Sequence, residues 1–342
     1  RRPLPDETAL PSPESRSFQV PELPLAINLE QLEIPKATFG HDVFGLAAEL
    51  SLTGALRIAS GTLDTNFDVK RLDGPGGQFA LKATFSNETE VLDLDLVLDE
   101  PADGVVANLL NVQGRPPLKL TIAGNGPLSD LDIKLALEAD GVPAFGGTAR
   151  LRERDEGLGF SARLAGAIGR LVPAQFRDFF GAGTHINVSG VSKTGGGVLL
   201  ENLQISSASM RIEAAAETGS DHFLTALSLS ASVADPNGKR VLLPVSGGET
   251  SLQTANLNVT FGEAGSERWR GNLAIDGLQT SEFAAGRTEL VMGGLAQNLN
   301  NAENRRISFD VDGGLSGITA KQAKIAKALG DALDIAVKGD WR

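Results

Sequence analysis

The chain has 342 residues and a formal net charge of −12, with 41% hydrophobic but only 5% aromatic residues and neither Tyr nor Cys. The length suits about two ordinary domains and the apolar content that of a folded protein. The acid excess opposes nucleic acid as a partner, which needs clustered Lys and Arg, and opposes anionic lipid headgroups; the lack of Cys excludes disulfides, thiolate metal sites and Cys nucleophiles.

Residues 1–24 carry Pro3, Pro5, Pro11, Pro13, Pro21 and Pro24, which predicts an extended lead-in outside the core. From about Ile27 a period-two alternation of aliphatic and polar residues begins and persists, the mark of half-buried strands. Leu63, Phe67 and Val69 open it. Leu92, Leu94, Leu96 and Leu98 share a face, with Asp93, Asp95 and Asp99 opposite. Leu118, Leu120 and Ile122 alternate with Lys119 and Thr121. Leu131, Ile133, Leu135 and Leu137 alternate with Asp132, Lys134 and Glu138. The pattern continues through Ile186 and Val188, then Leu227 and Leu229, then Leu257, Val259 and Phe261. It ends with Leu273 and Ile275, then Ile307, Phe309 and Val311.

Turn chemistry separates these runs at Gly74-Pro75-Gly76-Gly77, Gly124-Asn125-Gly126-Pro127, Gly195-Gly196-Gly197 and Asp235-Pro236-Asn237-Gly238. The expected fold is mainly β, a long antiparallel meander. Three segments break the period towards helix: Ala102–Val112, Pro173–Phe180 and Thr319–Ala336. In the last, Thr319 and Gln322 form a capping box, and Ile325, Ala328, Leu329, Ala332 and Leu333 a stripe. Such helices are expected to plug or cap a sheet.

Phe160–Gly190 aligns on Phe309–Gly339 without a gap, at an offset of 149. Phe160 falls on Phe309, Gly181 on Gly330, Ile186 on Ile335, Val188 on Val337 and Gly190 on Gly339. The expected organisation is a β-groove section over 25–158, a repeat over 159–308, and the start of another over 309–342.

Signs of catalysis are missing. His41, His185 and His222 are scattered, none with a second His at ligand spacing. Nucleophile-elbow, P-loop and zinc-protease motifs do not occur. Gly124-Asn125-Gly126 reads as a turn rather than a nucleotide loop. Asp64, Asn66 and Asp68 lack the Gly and distal Glu of a calcium loop. No catalytic residue, metal ligand or cofactor is therefore nominated, and the protein is expected not to be an enzyme.

The alternating apolar face is too long for one core, and left flat it would aggregate. A sandwich closes within about 100 residues, and a membrane barrel needs aromatic girdles. The remaining shape is a sheet folded lengthwise, U-shaped in section, with a groove lined by the aliphatic residues named above. About 20 strands would give a groove of roughly 100 Å.

Several phrases resemble the TamB family of AsmA-like, bridge-like lipid-transfer proteins. They lie in Val20–Ile58, with Pro24-Leu25-Ala26-Ile27-Asn28-Leu29, and in Leu92–Gly104, ending Glu100-Pro101-Ala102-Asp103-Gly104. They continue in Pro116-Pro117-Leu118-Lys119-Leu120 and in Gly124-Asn125-Gly126-Pro127-Leu128-Ser129-Asp130 before an alternating strand. The resemblance implies a β-taco with a hydrophobic interior, in the periplasm of a Gram-negative bacterium. It implies anchorage in the inner membrane by a segment outside this sequence, and an outer-membrane assembly barrel resembling TamA as partner. The implied role is passage of phospholipids, their acyl chains in the groove, to the outer membrane. The alternative is an assembly scaffold for outer-membrane β-barrel proteins. The chain begins Arg1-Arg2-Pro3 and no apolar run approaches the roughly 18 residues of a membrane span, so it is expected to be an interior section of a longer protein.

Overall fold

The computed structural model describes residues 20–21, 25–245, 248–322 and 330–341. Its strands are β1 (Ile27–Phe39), β2 (Ala48–Ala59), β3 (Thr62–Arg71), β4 (Gln78–Ser86), β5 (Val91–Glu100), β6 (Leu118–Pro127) and β7 (Asp130–Ala139). They continue as β8 (Val142–Arg154), β9 (Gly157–Gly166), β10 (Thr184–Lys193), β11 (Val198–Ser206), β12 (Met210–Thr218), β13 (Leu224–Ala234), β14 (Val241–Leu242) and β15 (Ser251–Leu252). The last are β16 (Thr254–Phe261), β17 (Arg268–Gln279), β18 (Phe283–Gln297), β19 (Arg306–Ser316), β20 (Thr319–Ala320) and β21 (Ala332–Trp341). Among the described residues three short α-helices join them: α1 (His41–Phe44), α2 (Val105–Leu109) and α3 (Arg177–Phe180).

All pairings are antiparallel and all strands belong to one sheet. Each long strand pairs with the next, β13 stepping to β16 and β19 to β21. Among the described residues β1 pairs only with β2 and β21 only with β19, so the sheet does not close into a barrel. At about 4.8 Å per strand the ladder runs roughly 80 Å.

Sequence alternation decides which side is which, because paired residues share a face. One row can be followed from strand to strand: Leu29, Leu56, Thr65, Ala83, Leu94, Gly124, Ile133, Ala149 and Ala162. It continues through Val188, Leu203, Ala214, Leu229, Val259, Gly271, Met292, Val311 and Val337. Thr65 is the one polar member, and its hydroxyl donates to the Ala55 carbonyl at 3.0 Å. The adjacent row is polar: Asn28, Arg57, Asp64, Thr84, Asp93, Asn125, Asp132, Arg150, Ser161 and Ser189. The sheet is a trough with its apolar side inward, and its polar side is laced by cross-strand ion pairs such as Arg150–Asp132 at 2.9 Å and Lys338–Asp310 at 2.7 Å.

Bulges keep the phase where the sequence breaks alternation. Two register shifts in β1 keep Leu29, Leu32, Ile34 and Ala37 on the apolar side. A bulge in β11 does the same for Leu200 and Leu203. One extra residue turns the following side chain to the other face unless a bulge absorbs it.

The connections divide between two rims. On one rim they are tight turns and short loops. On the other, elaborated connections recur after every fourth long strand: α1 follows β1, α2 follows β5, α3 follows β9, the β14–β15 hairpin follows β13, and β20 follows β19. Those leading strands begin at Ile27, Val91, Gly157, Leu224 and Arg306. The alignment of Phe160 on Phe309 links β9 to β19, two such units apart.

Four expectations are corrected. Gly124, Asn125 and Gly126 are not a turn but the end of β6, paired with β5 and β7. A Cβ on Gly124 would stand 3.0 Å from Ile133 Cγ1, so glycine serves close strand packing there. The helix over Thr319–Ala336 does not reach its expected ends, since Thr319 pairs with Ala284 and Ala332–Ala336 pair with β19. Residues 323–329, with Ile325, Ala328 and Leu329, lie outside the described residues. Partner strands outweigh a local helical stripe at those positions. Val20, within the lead-in, is buried rather than outside the core. The helix expected over Ala102–Val112 narrows to α2, where Ala107 is buried and Leu109 and Leu110 are exposed.

Candidate functional site: an apolar trough between two rims

Every residue nominated from the sequence lies on the apolar side. On β3 these are Leu63, Phe67 and Val69, and on β5 Leu92 to Leu98 at even positions. On β6 and β7 they are Leu118, Leu120, Ile122 and the odd positions Leu131 to Leu137. Ile186, Val188, Leu227, Leu229, Leu257, Val259, Phe261, Leu273 and Ile275 follow in register. Ile307, Phe309 and Val311 complete the set on β19.

Of these, Leu98, Leu118 and Leu131 are buried and Phe309 is 36% exposed, while the others are intermediate. A packed core would bury nearly all of them. The apolar wall is thus partly open.

Sequence reading missed many residues on the same wall, including Phe79, Leu81 and Phe85 on β4 and Leu290 and Met292 on β18. Their strands interleave Ala or Gly with the large residues, which blurs the period. The phase of a neighbouring strand would have revealed them.

The elaborated rim folds inward. The Glu100 side chain, on the apolar side of β5, caps α2 by accepting from the Val106 amide at 3.0 Å and the Ala107 amide at 2.7 Å. This places Ala107 and Val112 against Leu118, Ala139 and Ala144. The Asn108 amide nitrogen donates to the Phe44 carbonyl at 2.8 Å, tying α2 to α1. Further along, Phe179 of α3 packs with Val241 and Leu252 of the β14–β15 hairpin, over Val233 and Ile275. The inserts form a lip over one edge of the trough.

The tight-turn rim is covered at two places. Near β4, Val20 packs with Phe85, Leu128 and Leu131. Its amide donates to Asn87 Oδ1 and its carbonyl accepts from Asn87 Nδ2, both at 2.8 Å. Near β17, the loops before β13 and before β19 meet. Arg305 pairs with Asp221 and lies 4.0 Å from the centroid of Phe223. It also donates to the Leu299 carbonyl at 2.7 Å. Phe223 stacks on Trp341, 6.3 Å between ring centroids. The Phe223 amide and the Arg305 guanidinium hold the Asp221 carboxyl below its ordinary value. These loop residues carry no periodic signal, so sequence reading did not find them.

No protein-family model, curated protein or solved structure matches the chain.

The polar groups weighed in the sequence lie apart from the trough. Asp93, Asp95 and Asp99 are exposed on the polar side, Asp95 opposite Lys82 and Asp99 opposite Lys119. Asp64, Asn66 and Asp68 are in β3, not in a loop. His41 is in α1, His185 in β10 and His222 in the turn before β13. Among the described residues no three of His, Asp and Glu are grouped to hold a metal ion. No described helix is long and apolar enough to cross a membrane.

Proposed function

We propose that the trough is a passive conduit for phospholipids, with acyl chains against the apolar wall and headgroups at the opening between the rims. The single observation that carries this reading is the uninterrupted row from Leu29 to Val337, apolar but for Thr65. A solvated wall of that length is a standing free-energy deficit that alkyl chains relieve, at about 0.8 kcal/mol per buried methylene. Among the described residues the polar members of the wall, such as Thr65 and Thr288, are isolated rather than regularly spaced, which suits movement along it.

Membership of the TamB family, a periplasmic location, an inner-membrane anchor and an outer-membrane assembly barrel as partner belong to the same proposal. They rest on the sequence phrases given above. The decisive experiment replaces wall residues with charges: Leu94→Asp, Ile133→Arg and Val259→Asp, each half-buried on the wall. Lipid bound to the purified chain, and transport in cells, should fall with each. Transport undiminished by all three together would dismiss the conduit.

One observation favours the scaffold reading. The outer edges of β1 and β21 are unpaired among the described residues, and such edges accept a further strand. Photo-crosslinkers on the wall and on β1 separate the two. Lipid adducts on the wall support the conduit, and polypeptide adducts on β1 support the scaffold.

A further inference from the structure

The two places where the tight-turn rim is covered differ. At the first, Val20 occupies the depression and Asn87 satisfies its backbone. At the second, the loops border a half-open pocket of about 200 Å³ lined by Phe223, Leu224, Phe261, Trp269, Ala296, Leu299 and Ile307. Leu224 reaches this wall because a register shift between β12 and β13 rephases the start of β13. Phe261, Trp269 and Ile307 are the rim-most members of the apolar side, so the cavity continues the trough.

We propose that this cavity receives the methyl end of a lipid acyl chain, a holding site within the conduit; it rests on the conduit reading. The lining presents no polar atom. A polypeptide inserted there would leave its amides and carbonyls unsatisfied, whereas Val20 has Asn87 to meet that need. An alkyl chain has no such need. Enclosed apolar cavities of about 150 Å³ take up small hydrocarbons, and this half-open pocket of about 200 Å³ has room for the end of an alkyl chain. Arg305 is engaged by Asp221, Phe223 and Leu299, so the loops are held without an anion from the ligand.

Trp269 lies in the cavity wall and Trp341 is the other tryptophan. In a Trp341→Phe variant Trp269 therefore reports alone. Two phosphatidylcholines are compared, one brominated near the chain methyl and one near the ester. The methyl-end isomer should extinguish most Trp269 emission and the ester-end isomer little. Ala296→Phe, in the pocket lining opposite Ile307, should abolish that quenching while mass spectrometry finds the same amount of bound lipid. Leu299→Phe, on a loop, gives a second block should Ala296→Phe fail to fold by circular dichroism. Equal quenching by both isomers, or quenching that survives both blocks, would overturn the site. Bound lipid without any quenching would overturn the site and leave the conduit standing, and absence of bound lipid would overturn both.

Discussion

The ring of Phe160 occupies the space a side chain on Gly190 would need: a Cβ there would stand 2.6 Å from Phe160 Cζ. The two residues are directly opposite on β9 and β10. Phe309 and Gly339 repeat the arrangement on β19 and β21, and Phe67 and Gly54 on β3 and β2. Trp269 and Gly294 make a fourth pair on β17 and β18. An aromatic ring lying over an opposite glycine shields the backbone that glycine leaves bare. Gly190→Ala should therefore destabilise its hairpin by about 1–3 kcal/mol through overpacking. A double-mutant cycle with Phe160→Leu should return part of that loss, as denaturant midpoints would record.

Glu100 sets a second expectation. Its buried carboxylate is the cap of α2, and a Cβ on Gly104 would collide with it. Glu100→Ala strands two inward-facing amides, at about 1–3 kcal/mol. Amide exchange of α2 should quicken while that of β7 stays slow. Gly104→Ala should give the same local signature by displacing the carboxylate.

The Asp221–Arg305 clasp should respond to acid. Because the folded Asp221 titrates below its ordinary 3.8, its contribution is complete above that value and fades as pH falls through the lowered one. Emission from Trp269 and Trp341 should shift to the red over that interval, below about pH 4. Asp221→Asn should show the shifted emission at neutral pH and lose the acid transition.

If the trough carries lipid as proposed, removing that lipid should loosen the protein. Stripped of bound lipid by cyclodextrin, the chain should melt earlier and bind an apolar dye along the wall. Adding back a lysophospholipid should raise the melting temperature with concentration and displace the dye, the course expected of a ligand that binds only the folded form. A melting temperature indifferent to lipid would contradict the conduit.

Strand positions and the inward face were legible wherever large aliphatic residues alternate with charges, as in Leu92–Leu98 and Leu131–Leu137. They blurred where Ala or Gly stands inward, as at Ala214 and Gly271, and where bulges reset the count, as in β1 and β11. Gly124-Asn125-Gly126 misled because turns and tight strand contacts both favour glycine. At Thr319 and Ala332–Ala336 a helical stripe gave way to pairing with β18 and β19, which no local window contains. Phe223, Leu299 and Arg305 act through loops, where no period exists to read. The four-strand rhythm was hidden because its inserts differ in kind, from a helix to a two-strand hairpin, and share only their place.

That rhythm has a consequence for sidedness. In an antiparallel ladder consecutive strands run in opposite directions, so a connection returns to the same rim only after an even number of strands. A unit of four obeys this rule, and duplication of whole units always deposits the insert on the same lip. The molecule can therefore differ in length without ever exchanging its two margins. Loss of a single strand would transfer every later insert to the opposite side and turn each downstream cap into an obstruction.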